Sequence, residues 1–326
     1  MNTLMASARS LSARPRTLLL TFDAFGTLFY PRPPVPQQYA AVAHQFGLSR
    51  AAVTPQAIER AFGDVYRTHS KRWPNYGRAD VLRGKYGGPR QWWEEVMREC
   101  FVRVLAPQGS HLTTEGLPQT PFELPLGMVD TLLHRFASEE GYALFDDVIP
   151  FFERMRELRR SSTRHFDRVV LGVVTNSDDR VPAVLKALGL RVGDLRADQD
   201  MSSMELPGFE QRTGSNDASS LGHLDIDLDF VITSYEAGEG KPNRLIFDIA
   251  KRQARLLAST HGPAQGSPTP DETDDWVCIH VGDEYEKDYR AAIDAGWKSY
   301  LIPRADGEYP AKTMGSLLEL IHELKI

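Results

Sequence analysis

Cysteine is scarce in this 326-residue chain: only Cys100 and Cys278, far apart and each inside an apolar or helical-looking stretch. Neither belongs to a CxxC pair, so a disulfide framework or a zinc site is not expected. Both read as reduced core thiols of an intracellular protein. Basic charge is not in excess either. The 38 Lys and Arg stand against 44 Asp and Glu, for a formal net charge of -6 and a pI near 5.9. Such a chain lacks the broad basic footprint of a nucleic-acid binder. No apolar run approaches the roughly 20 residues that a membrane helix needs, so no membrane partner is expected. There are no internal repeats. The nine histidines are scattered without a metal-ligand spacing, and none is given a role.

Acids are missing from the first 18 residues, which hold Arg9, Arg14, Arg16 and three serines. Two readings fit. One is a mitochondrial transit peptide. The other, adopted here, is a flexible tail over 1–16 of a cytoplasmic protein, since Pro15 interrupts any amphipathic helix.

What remains is ordinary globular composition, 41% hydrophobic and 25% charged. The length suits one large domain or two modest ones. Five continuous apolar segments predict buried parallel strands: "TLLLTFD" (17–23), "RVVLGVVTNS" (168–177), "DFVITSYEAG" (229–238), "WVCIHVGDE" (276–284) and "KSYLIPR" (298–304). Helical patterns alternate with the later ones: "IPFFERMRELRR", "RVPAVLKALG", "NRLIFDIAKRQARLLA" and "EKDYRAAIDAG". This alternation implies an α/β fold with right-handed crossovers. Between the first strand and the rest, residues 32–143 read as almost wholly helical. This predicts a helical cap inserted into a core of 17–31 plus 144–326. Two polar stretches, about 195–223 and 259–275, read as surface loops.

Four predicted strands carry polar residues at or just beyond their C-terminal tips. They are Asp23; Thr175-Asn176-Ser177; Gly240-Lys241-Pro242; and Gly282-Asp283-Glu284, with Asp288 beyond. Open parallel sheets bind ligands outside their carboxyl ends, so these four tips predict one site. Each group also has a bland reading. Asp at a strand end is commonly a turn residue. Thr-Asn-Ser-Asp before "RVPAVLKALG" suits a helix N-cap. Asp283 and Asp288 suit the positive end of "EKDYRAAIDAG". A loop lysine is usually a solvated charge.

Taken in order, "DAFGTL", "VVTNS", Lys241 in "GKP" and "VGDEYEKD" resemble the four motifs of the haloacid dehalogenase-like (HAD) hydrolase superfamily. The resemblance covers 17–31 and about 145–304. "RWPNYG", "RQWWEEV" and "VGDEYEKDY" further resemble its domain-containing protein 3 subgroup. The resemblance implies a Rossmann-like parallel-sheet core with an inserted helical cap, and hydrolysis of a small, phosphorylated substrate through an aspartyl intermediate. It implies Asp23 as nucleophile and Lys241 as its catalytic partner. Thr27, Thr175 and Asn176 would bind substrate, Thr27 by steadying the loop after the nucleophile and Asn176 through its main-chain amide. Mg²⁺ would be the cofactor, held by Asp23, the Phe25 backbone carbonyl and Asp283. Asp288 would be an outer or second acidic partner that also orients Lys241.

Phe25 departs from the phosphatases of this superfamily, which carry a second aspartate there as general acid and base. Such catalysis is typically worth ~10²–10⁴-fold, so weak turnover of alkyl phosphates is expected. Aryl or acyl phosphates, whose leaving groups depart unprotonated, would suffer less. Members that dehalogenate 2-haloacids carry an aromatic residue at this place but lack the acid at Asp283. Their halide-cradling arginine would come from the cap, where Arg50, Arg60 and Arg72 are in range without a matching motif. A metal-independent 2-haloacid dehalogenase is therefore one rival reading, and a non-catalytic ligand- or protein-binding fold another. Trp73, Tyr76, Trp92 and Trp93 are candidates to line a pocket. Trp92 and Trp93, at helical spacing, read better as packing, and loop-like "WPNYG" as facing the site.

Overall fold

A computed structural model describes residues 16–105, 123–160, 166–197, 206, 208–209, 225–260, 275–305 and 307–324. Nearly all of the expected tail and most of the two expected loops lie outside these residues.

Each apolar segment forms a strand: β1 (Arg16–Phe22), β4 (Arg168–Thr175), β6 (Leu228–Thr233), β7 (Asp275–Gly282) and β8 (Lys298–Leu301). Beyond Thr233 the third segment leaves the sheet as a helical turn, because the Thr233 side chain caps the amide of Glu236. A short strand that composition does not mark, β5 (Val192–Leu195), completes six parallel strands in the order β5-β6-β4-β1-β7-β8.

Alternation along β1 divides the core. Leu18, Leu20 and Phe22 join one buried cluster, and Leu19 joins another on the opposite face. β4 repeats the pattern, with Val169, Leu171 and Val173 on one side and Val170 and Val174 on the other. The first face is covered by the helix Val148–Arg160, whose Phe151 and Phe152 meet Phe22 edge-on at 5.4 and 5.7 Å. The second is covered by Leu245–Thr260, through Ile246, Phe247 and Ala250. Both faces being buried explains why the strands read as unbroken apolar runs.

The chain leaves the sheet after β1 through β2 (Phe29–Pro31) and returns through β3 (Tyr142–Leu144), which pair antiparallel. Between them lie α1 (Val35–Gln45), α2 (Pro55–Arg72), α3 (Pro74–Val81), α4 (Pro89–Leu105) and α5 (Met128–Arg135). Apolar residues of α1, α4 and α5 share the cluster that covers the first sheet face. A separate cluster, with Val65, Trp92 and Val96, ties α2 to α4.

"WPNYG" is irregular, as expected. Asn75, Tyr76 and Gly77 are successively left-handed, with φ of 49°, 59° and 72°. That conformation costs roughly 1–2 kcal/mol for a residue with a side chain. It is offset by the Asn75 amide, which donates to the Ser234 and Gly238 carbonyls at 2.8 and 3.3 Å. The inserted helices are thereby tied to the turn after β6.

Candidate active site

β1 lies at the centre of the sheet, where the strand order reverses. Its neighbours β4 and β7 belong to opposite wings. Asp23, Thr175 and Asp283 thus emerge side by side from three adjacent tips, and Lys241 reaches in from the loop after β6.

Lys241 is the hub. Its side chain is 2% exposed, and Nζ donates to Asp23 Oδ1 at 2.8 Å, Asp288 Oδ1 at 2.5 Å and the Val174 carbonyl at 2.9 Å. Burial opposes the ammonium charge, but Asp23 and Asp288 outweigh it and raise the pKa. The Asn176 side chain holds the main chain of Lys241 from both sides. Oδ1 accepts from its amide at 2.7 Å, and Nδ2 donates to its carbonyl at 2.8 Å.

Burial raises the pKa of Asp23, and Lys241 and the Thr175 hydroxyl pull it back. Burial also opposes the charge of Asp288, yet Lys241 and His280 hold it below the usual carboxylate range. Oxygens of Asp23, Asp283 and Asp288 lie within 4.8 Å of one another. Burial, then the charges of Asp23 and Asp288, push Asp283 up to about 7. Three carboxylates thus face one ammonium, an excess of negative charge that suits a cation.

Thr27 does not line the cavity. It is fully buried, and its hydroxyl donates to Asp283 Oδ1 at 3.0 Å. It holds the Asp283 carboxylate from within the loop after Asp23. Gly26, at φ 76°, explains the conformation of the loop. A Cβ there would fall on the Asp283 carboxylate.

His280 on β7 was given no role from sequence, but it is wholly buried against the site. Nε2 lies 3.3 Å from Asp288 Oδ1 and Nδ1 lies 2.9 Å from the Thr21 hydroxyl. Burial lowers its pKa, against the pull of Asp288, and so favours the neutral ring. The carboxylate at Nε2 assigns the proton to that nitrogen. Asp288 also accepts the Glu284 amide at 2.9 Å, at the start of the π-helical turn Tyr285–Arg290. The sequence predicted a regular helix there.

A cavity of about 420 Å³ opens above these groups. Asp23, Phe25, Thr175, Asn176 and Lys241 line its floor. Arg50, Arg60 and Arg72, the candidate halide-cradling residues, do not line it; Arg180, past the tip of β4, does. Asp178, read from sequence as part of an N-cap, is wholly buried and grips Arg180. It accepts Nε at 2.9 Å and Nη2 at 2.8 Å. Burial opposes the Asp178 charge, but Arg180 and the Trp93 indole keep it below its usual range.

The aromatic candidates divide. Trp92 is 2% exposed and packs within the inserted helices, as expected. Trp93, expected to do the same, instead lines the cavity, and its Nε1 donates to Asp178 Oδ2 at 2.8 Å. Tyr76 lines the cavity, while Trp73 stacks on Tyr86 at 4.5 Å and does not. Both cysteines are buried core thiols, that of Cys100 pushed up by burial to about 12.

Comparison with known proteins agrees with this architecture. Residues 18–296 match the haloacid dehalogenase-like hydrolase family. The uncharacterized protein YMR130W of Saccharomyces cerevisiae is 28% identical over 298 residues, 89% of this chain and 73% of its own. Human haloacid dehalogenase-like hydrolase domain-containing protein 3 is 27% identical over 292 residues, 90% of this chain and 84% of its own. Among solved structures, a 2-haloacid dehalogenase from Pseudomonas syringae pv. Tomato DC3000 aligns at 17% identity and TM-score 0.47, over 95% of this chain and 98% of its own. A HAD phosphatase from Thermococcus onnurineus aligns at 18% and 0.47, over 95% and 97%. These two likenesses do not choose between the chemistries. With a family match across most of its length, the protein belongs to the haloacid dehalogenase-like hydrolases.

Proposed function

We propose that this hydrolase cleaves a small phosphorylated metabolite, with Mg²⁺ as cofactor, through an aspartyl intermediate on Asp23. The observation that carries the reading is the buried Lys241–Asp23 pair at the cavity floor, with two further carboxylates in reach. A carboxylate oxygen of Asp23 attacks phosphorus, the ester P–O bond breaks, and its electron pair leaves with the departing oxygen. Water then attacks the phosphorus of the aspartyl phosphate, and the carboxylate of Asp23 is released with inorganic phosphate. Lys241 keeps Asp23 anionic and aimed. The Thr175 hydroxyl and the Asn176 amide hold phosphoryl oxygens.

The donor set fits Mg²⁺, which prefers oxygen ligands and few carboxylates. Asp23, the Phe25 carbonyl and Asp283 would hold it. Asp288, whose oxygens are already engaged by Lys241, His280 and the Glu284 amide, would be an outer partner. When bound, the cation supplies positive charge to the phosphoryl oxygens. The inserted helices act as the cap over this chemistry.

Phe25 also favours a second reading, 2-haloacid dehalogenase. Against it stand Asp283 and the neutralisation of Arg180 by Asp178, which leaves no free arginine among the described residues that line the cavity. The test is turnover of an aryl phosphate with Mg²⁺. Asp23→Asn is expected to reduce it by at least about three orders of magnitude, and EDTA to abolish it reversibly. Calorimetry is expected to show saturable Mg²⁺ binding that Asp283→Ala removes. Full activity in Asp23→Asn would overturn the nucleophile. Metal-independent turnover of 2-chloropropionate would establish the dehalogenase, and turnover of neither substrate would favour a binding fold.

A further inference from the structure

Above its floor the cavity is walled by rings. Phe25 meets Tyr142 at 5.5 Å, Tyr142 meets Phe136 at 6.0 Å, and Phe136 meets Tyr39 at 5.6 Å. The series continues through Phe62 at 5.7 Å and Tyr66 at 5.8 Å to Trp93 at 6.1 Å and Tyr76 at 6.4 Å. All eight rings line the cavity. They surround open space instead of filling it, which packing between helices alone does not require.

Among the described residues the wall carries no unbalanced charge. Arg180 is paired bidentately with Asp178, and its guanidinium lies over the Trp93 and Phe209 rings at 4.8 and 4.6 Å. Lys287 and Glu284 pair with each other at 2.7 Å. One polar group stands apart. Tyr39 is 1% exposed and lines the cavity, and its hydroxyl has no hydrogen-bond partner among the described residues.

We infer that the substrate is an aryl phosphate: a flat, uncharged aromatic body held among these rings, with a polar substituent that accepts a hydrogen bond from Tyr39. The inference rests on the phosphoryl reading of the Asp23 site. Two independent features select the same molecule. The rings offer edge-to-face and offset-stacked contacts to an aromatic body. Phe25, which can give no proton, admits a phenolate that needs none. When the aryl P–O bond breaks, its electron pair leaves as phenolate and is protonated later by solvent.

The test is equilibrium binding, without turnover, of phenylphosphonate and methylphosphonate to the full chain with Mg²⁺, followed by calorimetry. Phenylphosphonate is expected to bind at least about tenfold more tightly. Tyr66→Ala, at a partly exposed wall position, and Phe62→Ala are expected to shrink that ratio while leaving methylphosphonate binding unchanged. With 4-acetylphenylphosphonate, Tyr39→Phe is expected to weaken binding several-fold, and with phenylphosphonate to leave it unchanged. Equal binding of phenyl and methyl phosphonates by wild type would overturn the aryl specificity alone and leave the phosphoryl site standing. Binding of neither would overturn both. A Tyr39→Phe effect that is the same with and without the acetyl group would overturn the assigned contact.

Discussion

The floor and the wall of the cavity are built on opposite plans. The floor consists of short charged side chains at strand tips, each pinned by named partners: Asp23 by Lys241, Asp283 by Thr27, Asp288 by Lys241 and His280. The wall consists of large rings from α1, α2, α3, α4, β3 and the segments just before β2 and after α5, held by one another. In the proposed function the floor would supply the chemistry and the wall the choice of substrate. Phe25 belongs to both, since it sits two residues from Asp23 and begins the series of rings.

Phe25 is therefore where the contrast breaks most sharply. Phe25→Asp is expected to raise turnover of alkyl phosphates by ~10²–10⁴-fold, the usual worth of general acid–base catalysis. Aryl phosphate turnover should change far less, because its leaving group needs no acid. Steady-state kinetics on a matched alkyl and aryl pair would show this, and equal gains on both would refute it.

Asp178→Ala probes a buried ion pair of the wall. Removing the acid leaves the Arg180 charge unpaired, a loss expected to cost ~3–5 kcal/mol. A denaturant midpoint would read it, and a change under about 1 kcal/mol would mean that Arg180 finds another partner or water.

Tyr39→Phe is the smallest expected effect. No hydrogen bond joins its hydroxyl to a described residue, so thermal stability should change by less than about 0.5 kcal/mol. A clear loss would place a protein partner on that oxygen and remove its claim to be a ligand contact.

The floor was legible in the sequence because each of its groups follows an apolar run or a Gly-Lys-Pro turn. Local pattern and one-dimensional order were enough. What surrounds it was less so. His280 lies on a strand buried on both faces, where alternation cannot mark an inward polar residue. Asp178 looks like a helix cap, and only its bidentate grip on Arg180 reveals otherwise. Thr27 reads as a residue that steadies the loop, but its bond to the Asp283 carboxylate joins groups 256 residues apart and is not visible in local pattern. The wall was hardest. Trp92 and Trp93 are adjacent, yet one packs between helices and the other faces the cavity. The orientation of a ring on a helix depends on elements far away in sequence. Strand β5 and the β2–β3 pair, at four and three residues each, are too short for periodicity to detect.

That short β2–β3 pair carries an engineering consequence. Phe29 faces Leu144, Tyr30 faces Ala143 and Pro31 faces Tyr142, so the chain leaves and re-enters at two neighbouring points. These are natural splice sites. A chimera joined at this hairpin would graft a foreign set of helices onto an unaltered chemical base, separating selectivity from reactivity as exchangeable parts.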